Sequence, residues 1–130
     1  MLCYGSSCYA QLYVIVNQKN SLEQLTKNQL IDLYMGRTRH FESGSRVITV
    51  DAALQSPNRE DFYQALVEKS VPEIQAYWAR LLFTGRAVPP FQVESTGDII
   101  NFVGENASAI GYVAKAPVTD KVKVVYVLEK

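Results

Sequence analysis

Ser56-Pro57-Asn58-Arg59 is the segment whose residue types and spacing come nearest to chemistry. Ser56 suits the cap of a helix, and Pro57 suits its first position, where a missing N–H costs nothing. The free N–H groups of a helix start can hold a phosphate or a sulfate. An arginine in the first turn can fork onto an oxyanion. The segment follows a strand predicted at residues 46–50 and a short loop. Ligands of α/β proteins bind beyond the carboxyl ends of their strands. Ser56, Asn58 and Arg59 are therefore the candidate anion-binding residues. An ordinary cap beside a surface arginine accounts for the same residues without a ligand, and both readings stand at this point.

Little else in the chain points to chemistry. Asp32, Asp51, Asp61, Glu68, Glu73, Glu94, Asp98 and Glu105 are scattered singly, with no paired acid and base. Glu94 and Asp98 fall near a helix start, where a carboxylate complements the dipole. His40 lies between Arg39 and Phe41 in a predicted loop, where a histidine is a surface residue or a ligand contact. No G-x-S-x-G elbow, phosphate-cradling P-loop or G-x-G-x-x-G run occurs, so the expectation is no enzyme and no cofactor. One histidine excludes a multi-histidine metal site made by this chain alone. Arg37, Arg39, Arg46 and Arg86 read as surface basics that could share an electropositive patch. Tyr77 and Trp78 are adjacent on a predicted helix and suit core packing, with a ligand-stacking platform as the alternative.

The elements that must position these residues are legible. Leu12 to Val16 is a β-branched apolar run, read as a buried strand. Thr26 with Gln29 forms a predicted capping box, with Leu25 and Leu30 as its hydrophobic staple and Gly36 as the helix stop. Arg46 to Val50 is a second strand, closed by Asp51. In the second helix Phe62, Ala65 and Leu66 face the core, with Tyr63 and Val67 flanking them. Ser70 and Glu73 box the third helix, whose stripe is Ile74, Tyr77, Trp78, Leu81 and Leu82 and whose stop is Gly85. Residues 87–91 are extended because of Pro89 and Pro90. Ser95 caps a fourth helix, with Ile99, Phe102 and Val103 buried and Gly104 closing it. Ala109 to Ala114 is a strand whose Gly111 signals a bulge or a close backbone approach. Lys121 to Leu128 is a last strand near a sheet edge. The order is β-α-β-α-α-α-β-β, a mixed sheet flanked by helices. Parallel pairing of the first two strands would need a crossover through the first helix.

Length and composition set the frame. A chain of 130 residues buries about two-thirds of its surface on folding, enough for one core and hardly two. Hydrophobic residues at 48% and charged ones at 20% fit a globular fold. Thirteen Lys plus Arg against thirteen Asp plus Glu leave no net positive field for nucleic acid. No apolar run is long enough for a transmembrane segment. Cys3 and Cys8 both fall in residues 1–10, so no disulfide framework is expected in the body. Residues 1–10 are small and uncharged and read as a remnant of a secretory signal peptide, with Cys8 and Ala10 before the cut. Residues 11–130 then form a single domain, periplasmic or secreted if the true N-terminus carries a full signal.

Taken together, several stretches resemble one family. Leu25 to Gly36 is similar to a helix signature of phosphate ABC transporter substrate-binding proteins, which have the type II periplasmic binding protein fold. Arg59-Glu-Asp-Phe-Tyr63 resembles the start of their next helix, and Ala109-Ile-Gly-Tyr-Val113 one of their strands. Ala76 to Gly85 and Val88-Pro-Pro90 resemble small substrate-binding-like proteins of phosphate transport. The resemblance covers about residues 12–115. It implies one lobe of a fold whose complete members have two lobes closing on phosphate. It also implies that Ser56 stands where the family grips phosphate with serine-glycine-threonine. Pro57 then replaces the glycine and Asn58 the threonine, and Asp51 lies where an anion-reaching arginine is often found. The departures predict a degenerate site with weak or absent binding of phosphate or another small oxyanion. A second chain or an envelope protein could supply the missing wall. The alternative is a periplasmic protein-interaction module that kept the fold and lost the ligand.

Overall fold

The computed structural model describes residues 11–85 and 87–130. The readings of Cys3, Cys8 and the signal remnant, and that of Arg86, lie outside the described residues. Among the described residues nine elements follow in order: β1 (Gln11–Asn17), α1 (Lys27–Tyr34), β2 (Ile48–Ala52), α2 (Pro57–Val67), α3 (Val71–Thr84), β3 (Phe91–Val93), α4 (Thr96–Glu105), β4 (Ala109–Val113) and β5 (Val122–Glu129). The fold is the expected mixed α/β type. The strands form one sheet in the order β3-β2-β4-β1-β5. β2 runs parallel to both β3 and β4, while β1 runs antiparallel to both β4 and β5.

The predicted helix starts hold. Thr26 Oγ1 accepts from the Gln29 N–H at 3.1 Å, and the Gln29 side chain accepts from the Thr26 N–H at 2.9 Å. Ser70 and Glu73 repeat the box at α3, and Ser95 accepts from the Asp98 N–H at α4. Each side-chain oxygen satisfies a backbone donor that the helix cannot.

Several expectations need correction. The conditional parallel pairing of the first two strands through α1 does not occur, because β4 lies between β1 and β2. Every residue of β4 is buried, which suits the centre of the sheet better than an edge. β2 begins two residues later than predicted and continues through Asp51 to Ala52. Arg46 and Val47 are drawn instead to the preceding turn, where the Val47 N–H bonds the Arg39 carbonyl at 2.8 Å. Asp51 can sit inside the strand because its carboxylate finds donors there. The extended stretch after α3 continues into a third parallel strand, β3. Tyr63 is buried as fully as Phe62, so it belongs to the core face and does not flank it. On α3 only Ile74 and Trp78 are buried, and Leu82 is exposed. α4 runs past Gly104 and ends at Glu105.

Side chains alternate across the sheet. Gly111 of β4 faces α4, and a Cβ there would stand 3.0 Å from Ile99 Cγ2 and 3.4 Å from Val103 Cγ2. The close approach predicted for this glycine is therefore present. Its neighbour Tyr112 faces the other way and stacks on Phe62 of α2, with ring centroids 3.8 Å apart. Tyr34 of α1 meets both rings edge-on. The core thus has α4 on one face of the sheet and an aromatic layer under α1 and α2 on the other.

Trp78 of α3 locks against the turn after α1. Gly36 has φ +75°, and a Cβ on it would lie 2.7 Å from Trp78 Cη2 and 3.2 Å from Ala87 Cβ. Gly36→Ala therefore combines a left-handed backbone penalty with overpacking, and a loss of about 2–4 kcal/mol is expected. Gly85→Ala is the control, since Gly85 has φ +68° and no atom within 4 Å of the added carbon. It should lose about 1 kcal/mol. Urea denaturation of both variants checks the difference, and equal losses would refute the packing argument.

Candidate functional site

The start of α2 sits directly beyond the carboxyl end of β2. Ser56 caps it in extended conformation, with its Oγ accepting from the Asn58 N–H at 3.2 Å. Pro57 has no N–H to offer. The Arg59 N–H donates to the Ser56 carbonyl at 3.1 Å, and the Glu60 N–H reaches the same oxygen at 3.4 Å. The backbone donors of this first turn are thus absent or already bonded to Ser56.

Arg59 lies well below the surface, at 5% exposure. Its Nε donates to Asp51 Oδ2 at 3.2 Å, and its guanidinium lies 5.7 Å from the centroid of the Tyr63 ring. Its Nη1 is buried and has no hydrogen-bond partner. The arginine expected at the surface beside an ordinary cap is therefore a buried one. Ser56 and Asn58 are half-buried beside it. The structure brings all three candidate residues to one helix turn, with Arg59 aimed inward at Asp51.

Asp51 is 2% exposed and collects donors from three elements. Oδ1 accepts from the Ala52 N–H at 3.0 Å and from the Tyr112 hydroxyl. Oδ2 accepts from the Tyr63 hydroxyl at 2.8 Å and from Arg59. A buried charge is tolerated only when paired and hydrogen-bonded in this way. Its negative charge faces the protein interior and is met by Arg59.

Sequence reasoning named Asp51 and Arg59 but missed their pairing, and it missed Tyr63 and Tyr112 as polar partners. Arg59 and Tyr63 stand four residues apart on one helical face, so their meeting was readable. Tyr112 is 61 residues from Asp51, and no local pattern links them.

The remaining candidates are dispersed. Arg37 makes an exposed pair with Asp32 at 3.4 Å. Arg39 and Arg46 line a cavity at the other end of β2, so the basic residues form no single patch with Arg59. His40 is exposed and lines a separate hollow with Gln29 and Glu42. Tyr77 donates to the Met35 carbonyl at 2.6 Å, and Trp78 packs on Gly36, so both serve the core. Among the described residues, no cluster of three or more His, Cys, Asp or Glu side chains could hold a metal ion. No described helix is long and apolar enough to cross a membrane.

No protein-family model and no curated protein matches the chain. Solved structures do. One is a protein from Clostridium perfringens assigned as a phosphate ABC transporter substrate-binding protein, with bound phosphate. It is 23% identical with a TM-score of 0.72, over 90% of this chain and 44% of that one. A second is an ABC-type phosphate transport receptor from Vibrio cholerae, 21% identical with a TM-score of 0.71, over 90% of this chain and 46% of that one. A third is PstS from Borrelia burgdorferi, 14% identical with a TM-score of 0.68, over 90% of this chain and 47% of that one. The fold of this chain is therefore that of part of a type II periplasmic binding protein-like structure, as the sequence resemblance implied. The chain spans less than half the length of these solved structures.

The aromatic layer around Asp51 has a pH signature. Burial, and then the negative charge of Asp51, hold the Tyr34, Tyr63 and Tyr112 phenols well above the ordinary tyrosine range. In the unfolded chain they ionise near pH ~10. Above that pH the unfolded state loses protons that the folded state keeps. The stabilisation is fully present below about pH 10 and falls as pH rises toward the raised values. Of the eight tyrosines, at least these three should ionise only as the protein unfolds. Phenolate absorbance followed together with circular dichroism checks this. Smooth titration of all tyrosines with the fold intact would contradict it.

Proposed function

We propose that the chain is a solute-binding-like domain related to phosphate ABC transporter substrate-binding proteins. On this proposal it works in the periplasm or is secreted, and it is not an enzyme. Its anion site at the start of α2 is degenerate, formed by Ser56, Asn58 and Arg59, and holds phosphate weakly or not at all. One observation carries the reading. The buried Arg59 guanidinium is tied to Asp51, leaving Nη1 as the one donor of that group that is buried without a partner. An arginine whose charge is already met by a carboxylate attracts a second anion poorly. Pro57 and the N–H groups already bonded to Ser56 subtract the backbone donors. A cleft protein gains affinity by enclosing its ligand between two walls. A single wall leaves the anion solvated and screened. A second chain or an envelope protein would supply the other wall.

A second reading, an interaction module without a ligand, draws on the end of α3. Phe83 there is 95% exposed and Leu82 53%. Large apolar side chains left in water side by side suit a partner surface.

Titration of the full chain with phosphate, sulfate and small carboxylates, followed by amide chemical shifts, separates the two. Saturable shifts centred on residues 56–60 with millimolar dissociation constants are expected for a degenerate site. Shifts that scale only with ionic strength would leave the interaction module. Micromolar phosphate affinity by calorimetry would refute the degenerate site outright.

A further inference from the structure

The opposite end of β2 carries a hollow of about 190 Å³. It lies where the parallel strands β2 and β3 begin, whereas the α2 start lies where β2 ends. Two arginines, Arg39 and Arg46, line it, and Thr38 adds a hydroxyl. Among the described residues no carboxylate lines it. Arg39 is engaged with another group of the protein. The Arg46 side chain makes no ion pair among the described residues. Its apolar wall includes Ile48, Val88 and Phe91. These three side chains remain 39%, 72% and 54% exposed. Apolar surface left open around a concave site is a ligand-site feature.

We propose that this hollow binds a small organic carboxylate with an apolar body, of the size of a single aromatic ring plus its acid group. The charge follows from the Arg46 guanidinium, which makes no ion pair among the described residues and can fork onto a carboxylate. The apolar body follows from the Ile48, Val88 and Phe91 wall. The size follows from the volume, because an apolar cavity of about 150 Å³ holds benzene. Phosphate, which has no apolar part, would leave that wall wet and is the poorer ligand here. This site uses none of the residues at the α2 start, so the two proposals stand or fall separately.

Benzoate is the probe, titrated into the full chain with amide shifts recorded at constant ionic strength. Saturable shifts at residues 38, 46–49, 88 and 91 are expected, with residues 56, 58 and 59 unmoved. Acetate and benzyl alcohol, which each keep one half of the ligand, should bind at least tenfold more weakly. Arg46→Gln should weaken benzoate at least tenfold with the rest of the amide spectrum unchanged. Because the acetate and benzyl alcohol arms use the unaltered protein, they decide the matter even if the variant folds poorly. Equal binding of benzyl alcohol would overturn the charge argument, and equal binding of acetate would overturn the apolar one. Absence of saturation, or shifts centred on residues 56–59, would overturn the site itself.

Discussion

A carboxylate buried in the middle of a sheet has to be met by donors, and Asp51 sets that demand for this molecule. Its oxygens take hydrogen bonds from Tyr112 on β4, from Tyr63 and Arg59 on α2, and from the backbone of Ala52. One side chain thereby fixes the register of β2, the rotation of α2 about its axis and the orientation of two aromatic rings. Removing any single donor would leave a buried charge short of a partner, the most expensive kind of defect in a protein interior. The Phe62–Tyr112 stack and the edge-on Tyr34 ring build outward from the same point. Tyr34 closes the layer by donating to the Val50 carbonyl at 2.7 Å.

The same network decides what the start of α2 can do. An arginine beside a helix N-terminus, just past a parallel strand, has the placement that anion-binding proteins use. Here the positive charge is turned inward and neutralised where it stands. The helix start keeps its caps and loses its free donors. A fold shared with these solved structures therefore coexists with an α2 start whose groups are mostly satisfied by one another.

How much of this was legible in the sequence depended on range. Local chemistry was readable: Thr26 with Gln29, Ser70 with Glu73, and Pro57 behind Ser56 each act within four residues, and the structure has all three. Long-range pairing was not. The β4 strand inserts between β1 and β2 because its unbroken AIGYV run can be buried on both faces, a comparison between distant strands that no window of sequence makes. Asp51 was read as the end of a strand because charge inside a strand is rare, and its true place depends on Tyr112, far along the chain. At the candidate site the residue identities were therefore visible. Their burial and mutual neutralisation were tertiary facts. The overstated face of α3 has a similar cause: its apolar stripe at three- and four-residue spacing marks Leu82 and Ile74 alike, and only the packing of neighbours distinguishes them.

The most direct measure of the account is a double-mutant cycle between Asp51→Asn and Arg59→Met, read by urea denaturation. Each single change should cost about 3–5 kcal/mol, because each strands the other charge in a buried setting. The pair together should cost less than the sum of the two, with a coupling of at least about 2 kcal/mol. Additive losses, with each single variant within about 0.5 kcal/mol of the unaltered protein, would mean that Asp51 does not hold Arg59.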